Sequence, residues 1–320
     1  MRLFNYLRQL ISNHLSASPI KVHIYVLLAM LLWGFSYIWS KIVFEYLEPA
    51  TTVFFRLIIS VVFLTMLHLL TRRKFYLASF DIPLFLLSAC FNPFLYFLGE
   101  NFGLSLVSPT ISAVIIATIP VFMPIVAFVF LRERLKVHNF IGLAISFGGV
   151  LVMVLRADLS LSASPLGLLF LFGAVASALV YGILLKKLTH KYSPLFIILV
   201  QNIVGIFYFL PVVLYFEGSA LCHIQPDSRL LISVAALGIF ASSLAYVFFA
   251  KAVQSMGIAR TNIYANLIPV FTAIFSFLII GEVISTGKFI GMALVIFGVL
   301  ISQNSFRTLF RKKTTGLKAA

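Results

Sequence analysis

Residues 119–151 read IPVFMPIVAFVFLRERLKVHNFIGLAISFGGVL, and residues 268–300 read IPVFTAIFSFLIIGEVISTGKFIGMALVIFGVL. At a constant offset of 149, without a gap, 14 of the 33 positions are identical. They include Pro120/Pro269, Glu133/Glu282, Gly142/Gly291 and Gly149/Gly298. A passage written twice, so far apart, points to a duplicated structural module.

Composition says where such modules reside. The chain is 62% hydrophobic and 10% charged, with a mean hydropathy of +1.10. Soluble domains carry about 25% charged residues, so this chain belongs in a lipid bilayer. Two cysteines, Cys90 and Cys222, cannot build a disulfide framework, and no Cys/His spacing suggests a metal or a cofactor. A net charge of +15 would suit a nucleic-acid partner only as one clustered basic face. Here the basic residues fall in twos and threes between apolar runs, as membrane topology requires.

A spanning helix needs about 20 apolar residues. Ten segments qualify: 23–44, 50–70, 82–98, 108–131, 139–155, 165–185, 194–216, 230–250, 258–280 and 287–305. Residues 1–22 form a cytoplasmic N-terminal segment whose Leu3, Phe4, Leu7, Leu10 and Ile11 share one helical face, suited to the membrane surface. The first apolar segment lacks a small-residue cleavage site and reads as a retained span. Residues 306–320 are a basic tail. With both termini on the cytoplasmic side, nineteen of the 24 lysines and arginines lie inside, while Glu45, Glu48, Glu100, Asp158, Glu217, Asp227 and Glu282 lie outside or near outer ends. This bias follows the positive-inside rule and places the chain in the plasma (inner) membrane with both termini cytoplasmic.

The offset maps spans 4 and 5 onto spans 9 and 10, so each half, 23–157 and 158–305, holds five spans. An odd number forces the halves to cross in opposite senses. The expected fold is an all-α integral membrane protein of ten transmembrane helices in a 5+5 inverted-topology repeat, an architecture recurrent in transporters. Pro120, Pro124 and Pro269 lie mid-span and favour kinks. The glycines of spans 5 and 10 allow close helix approach, within the chain or in a homodimer.

Residues 31–60, LLWGFSYIWSKIVFEYLEPATTVFFRLIIS, carry Trp33, Gly34, Pro49 and Arg56. This opening, with the mid-span Pro-Val-Phe, the following Glu and the Gly-rich helix in both halves, resembles EamA-type members of the drug/metabolite transporter superfamily. The resemblance spans about residues 23–302. It implies a ten-helix carrier of amino acids, other metabolites or drugs, often directed outward. The second half departs from the pattern: residues 165–185 lack the Trp-Gly pair, and span 7 has no arginine.

Polar side chains within a membrane face the bundle or a cavity. The candidates for a midplane substrate cavity, lined mainly by spans 1, 3, 4, 6, 8 and 9, are Trp33, Ser36, Tyr37, Asn92, Tyr96, Tyr181, Ser242, Tyr246, Asn262 and Asn266. Asn262 and Asn266 share a face before Pro269, where the first half has Ala113 and Ala117. Interhelical hydrogen bonding is the competing role for all of them. Lys41 and Arg56, near Glu45 and Glu48, read either as an ion-paired outer gate or as side chains snorkelling to the interface. No carboxylate reads as mid-membrane, and no nucleophile–base pair or metal cluster sits at depth, which argues against an intramembrane enzyme. The expected partners are a small-molecule solute and the lipid bilayer. A membrane channel shares the composition but would lack the rocking of inverted repeats.

Overall fold

The computed structural model describes residues 19–70, 76–123, 126, 137–155, 163–221 and 227–302. Residues 1–18 of the N-terminal segment, Pro124, Glu133 and the basic tail lie outside these described residues. Eight helices are long and apolar enough to cross a membrane: α1 (Ile20–Val43), α2 (Pro49–Leu70), α3 (Ser79–Leu106), α5 (Val137–Val154), α6 (Pro165–Thr189), α7 (Pro194–Ala220), α8 (Ser228–Met256) and α9 (Arg260–Ile280). Two shorter apolar helices complete the described set, α4 (Pro109–Met123) and α10 (Thr286–Ser302). Large apolar side chains such as Leu69, Phe207, Leu214, Ile232 and Phe277 are exposed around the outside. Their natural environment is lipid, which makes the chain a multi-pass membrane protein.

Local chemistry sets the helix ends. α4, α6 and α7 each begin with Ser-Pro, and Ser108, Ser164 and Ser193 accept the N–H of Ile111, Gly167 and Phe196. Serine satisfies an orphan amide donor while proline fills the first helical position, where no donor is needed. α2 is capped from another helix: the Glu217 carboxylate of α7 accepts the N–H of Ala50 at 3.0 Å and of Thr51 at 2.6 Å. A carboxylate there also meets the positive end of the helix dipole.

Two helices break beside the centre of the bundle. In α3, Asn92 leaves helical conformation (φ −150°, ψ 120°) just before Pro93, because proline disfavours a helical residue ahead of it. The break frees the Phe91 carbonyl, which accepts Ser177 Oγ at 2.6 Å. α3 runs on to Leu106, past the expected end at residue 98. In α8, residues Leu237–Ala245 form a wide π-helical turn; the loosened Ala241 carbonyl accepts Trp33 Nε1 at 3.3 Å. Such turns are frequent at functional sites. The repeated prolines lie just after matching irregularities. α4 has a turn at Ala117–Thr118 before Pro120, and α9 has a 3-10 turn at Ile263–Asn266 before Pro269.

The packing has two-fold character. α1 packs on α8 and α9, and α6 on α3 and α4; α2 meets α7, α4 meets α9, and α5 meets α10. Each of these contacts thus has a partner five helices on. The α5–α10 crossing shows its sense. A Cβ on Gly298 would lie 2.7 Å from Gly142 O, and one on Gly149 would lie 2.7 Å from Gly291 O. As α5 advances from 142 to 149, its neighbour retreats from 298 to 291, so these equivalent helices run antiparallel. Gly142, Gly149, Gly291 and Gly298 are therefore spent on packing inside the chain.

Candidate functional site

A chamber of about 80 Å³ lies where the two sets of helices meet. That is several times the roughly 10–15 Å³ that one water molecule requires. Trp33, Ser36 and Tyr37 of α1 line it, with Asn92 and Tyr96 of α3, Tyr181 of α6, Tyr246 of α8 and Asn262 of α9. Ser242 and Asn266 do not line it. Asn266 Nδ2 instead donates to Ile263 O at 2.9 Å, satisfying its own 3-10 turn.

Aromatic rings form much of the wall. Trp33 meets Tyr246 edge-on with centroids 4.9 Å apart and Phe249 at 5.1 Å. Asn92 Nδ2 donates to Tyr246 Oη at 3.2 Å, and Tyr181 Oη donates to Gln201 Oε1 at 3.2 Å. Each ring is therefore held by contacts to other helices. Asn262 has no hydrogen-bond partner among the described residues, which leaves its amide for the chamber.

Two charged groups change the reading of the site. Arg56, grouped from the sequence with Lys41, Glu45 and Glu48, belongs to the chamber and is only 2% exposed. Its Nε donates to Ser242 Oγ at 2.7 Å, and its guanidinium lies 4.3 Å from the centroid of the Phe97 ring. Ser242 is fixed in turn by neighbours: Asn202 Nδ2 donates to Ser242 O at 3.3 Å and to Ser60 Oγ at 2.7 Å. Ser242 thus orients Arg56 rather than facing the chamber itself. Opposite charge comes from Glu100, also a lining residue, whose Oε1 accepts Tyr96 Oη at 2.8 Å and Tyr37 Oη at 3.1 Å. A carboxylate that the sequence reading placed near an outer helix end therefore lines the chamber. Glu100 was assigned to the outer end because the helix was ended too soon.

The proposed outer cluster is dispersed. Glu45 Oε2 pairs with Arg229 at 3.0 Å, and Glu48 contributes a backbone carbonyl to Thr52 Oγ1 at 2.9 Å. Lys41 faces a second, open cavity of about 760 Å³, where its Nζ lies 3.5 Å from Ser105 O. There the Glu282 carboxylate joins three elements: it accepts Thr110 Oγ1 of α4 at 2.8 Å, Lys288 Nζ of α10 at 2.8 Å, and Ser276 Oγ of α9. Among the described residues no group of three or more His, Cys, Asp or Glu side chains could hold a metal ion.

The sequence is similar to several known transporters. An uncharacterized transporter of Archaeoglobus fulgidus is 24% identical over 88% of this chain and 98% of its own length. The uncharacterized transporter YetK of Bacillus subtilis is 26% identical over 86% of this chain and 84% of its own. A probable terminal-alkyne amino-acid exporter of Streptantibioticus cattleyicolor is 25% identical over 73% of this chain and 76% of its own. A solved crystal structure at 16% identity superposes with a TM-score of 0.69, covering 92% of this chain and 100% of that one, and so shares the fold. The EamA-like transporter family matches twice, over residues 20–155 and again over 165–303. With one module matched in each half of the chain, this protein is a membrane transporter of the EamA-like transporter family.

Proposed function

We propose that the protein is an alternating-access carrier of amino acids or related small organic solutes, working as an exporter or permease of the inner membrane. All ten helices cross, five per repeat in opposite senses, with both termini cytoplasmic. The solute occupies the chamber between the repeats. The observation that carries this reading is the antiparallel α5–α10 crossing of Gly142 with Gly298 and Gly149 with Gly291. It supports modules related by a two-fold axis lying across the helices, and exchange of conformation between two such halves opens one pocket to each side in turn. An amino-acid-like solute is supported by the presence of both a cation and an anion in the chamber, and by the name of the Streptantibioticus relative.

Untargeted comparison of extracellular and intracellular metabolites in cells with and without the protein tests the solute class. Amino acids or close derivatives should redistribute when the wild type is present and not when Arg56→Gln replaces it. Redistribution confined to unrelated solutes would contradict the reading.

A further inference from the structure

We infer that the chamber binds its solute as a zwitterion, with Arg56 taking the carboxylate and Glu100 the ammonium group. This rests on the carrier reading above and specifies which groups make it selective.

Arg56 is almost wholly buried, and its partners account for one edge and one face only: Ser242 Oγ at 2.7 Å on Nε, and the Phe97 ring against the guanidinium. Its two terminal nitrogens have no hydrogen-bond partner among the described residues, and Arg56 lines the chamber. Those two nitrogens form the planar fork that matches a carboxylate with two parallel hydrogen bonds. Glu100 is spent on one oxygen. Oε1 accepts both Tyr37 and Tyr96, while Oε2 has no partner among the described residues.

The decisive feature is that Arg56 and Glu100 share the chamber without forming an ion pair within 4.0 Å. Buried opposite charges that serve stability alone need direct contact and full hydrogen bonding, because desolvation otherwise outweighs their attraction. Here the spare donors and the spare acceptor are held apart. Phe97, which carries the guanidinium, precedes Glu100 by three residues on α3, about 4.5 Å along the helix axis. A solute with one carboxylate and one ammonium group bridges such a gap and satisfies both ends. A singly charged solute leaves the other protein charge buried and unmatched, and a site built for a polar group strongly rejects an analogue lacking it.

The test uses the purified full-length protein in detergent, with binding read from tryptophan fluorescence, since Trp33 lines the chamber. The probes are neutral L-amino acids, their N-acetyl derivatives, which lack the ammonium, and their methyl esters, which lack the carboxylate. Free amino acids should bind about tenfold to a hundredfold more tightly than either blocked form. Glu100→Gln should abolish the preference over N-acetyl forms and keep that over esters; Arg56→Gln should do the reverse. Glu100→Asp and Arg56→Lys provide milder variants if either fails to fold. Equal binding of free and blocked forms by the wild type, no binding of any free amino acid, or variants that alter both preferences alike would overturn the inference. Exchange of a singly charged solute in proteoliposomes would defeat the zwitterion reading and leave the carrier standing. Discrimination in detergent without exchange of any solute would defeat the carrier reading alone.

Discussion

Tyr192 Oη donates to Asp81 Oδ2 at 2.7 Å, tying the α6–α7 connection to the start of α3. A second tie, Tyr46 Oη to Asp227 Oδ2 at 2.9 Å, joins the α1–α2 connection to the start of α8. Both residues of the second contact precede or follow their counterparts by 146 positions, so the repeat has built the same tyrosine–aspartate clasp twice. The flanking charges are exchanged between the clasps: Lys191 pairs with Asp81 at 2.8 Å, whereas Glu45 pairs with Arg229 at 3.0 Å. In the proposed topology the basic connection lies inside and the acidic one outside, as the positive-inside rule asks.

If the clasps hold opposite ends of the bundle closed, Asp227→Asn should raise the reactivity of a cysteine at position 105 toward an impermeant thiol reagent. Asp81→Asn should lower it. Shifts of about two- to fivefold are expected, since exposed contacts of this type are weak. Shifts of the same sign in both variants would contradict the pairing of clasps with ends.

Ser242 lies outside the chamber yet fixes Arg56 through Nε. Ser242→Ala should therefore weaken solute recognition about tenfold, the usual scale for losing a hydrogen bond to a charged group. The effect belongs mainly in KM, measured in transport assays, with membrane abundance unchanged. An altered kcat at constant KM would instead assign Ser242 to the conformational step.

Glu282 links α4, α9 and α10 beside the open cavity. At its counterpart Glu133, the positions equivalent to Thr110, Ser276 and Lys288 are Ala259, Ala127 and Asn139, so the sequence equips only one end with this latch. Burial pushes the Glu282 carboxyl up, but hydrogen bonds from Lys288, Ser276, Ser108 and Thr110 outweigh it and hold the group below its usual range. The latch's contribution is therefore complete above the ordinary carboxylate range and is lost as pH falls through the lowered value. Thiol reactivity at position 105, expressed relative to that of a free thiol at the same pH because only the thiolate reacts, should stay flat from about pH 8 to 5 and rise only in stronger acid. Glu282→Gln or Thr110→Val should raise it at neutral pH. A rise centred near neutral pH in the wild type would exclude Glu282 as the titrating group.

Gly142, Gly149, Gly291 and Gly298 let the α5 and α10 backbones touch, whereas a Cβ on Gly148 would meet nothing within 4 Å. Gly298→Ala should lower the melting temperature in detergent by several degrees, at a cost of about 1–3 kcal/mol for overpacking. Gly148→Ala should leave it unchanged. Equal effects at both positions would contradict the crossing.

Much of this was legible in the sequence because the repeat, the hydropathy and the basic clusters all act over whole segments. The aromatic and amide lining was legible too, since Trp33, Tyr37, Tyr96, Tyr181, Tyr246 and Asn262 are polar groups on otherwise apolar helices. Arg56 and Glu100 were misplaced because depth was judged from distance to the nearest apolar boundary: α3 runs on to Leu106 rather than ending at residue 98, and Arg56, near the start of α2, faces the chamber. A face-by-face reading would have found them: Thr52, Arg56 and Ser60 are four apart, as are Asn92, Tyr96 and Glu100. Ser242 and Asn266 differ in kind. Ser242 is taken up by Arg56, a partner that only tertiary packing supplies, whereas Asn266 donates locally to Ile263 O in an irregular turn that its spacing did not reveal.

The central claim is that one chamber is reached from each side in turn, and trans-stimulation tests it most directly. Purified protein in liposomes is preloaded with an unlabelled neutral amino acid that the detergent assay shows to bind, and uptake of the labelled form is followed against liposomes preloaded with buffer. The account predicts faster uptake and a transient overshoot with internal solute, because the loaded chamber returns faster than the empty one. Uptake at the same rate with and without internal solute, with no overshoot, would contradict it and describe a channel.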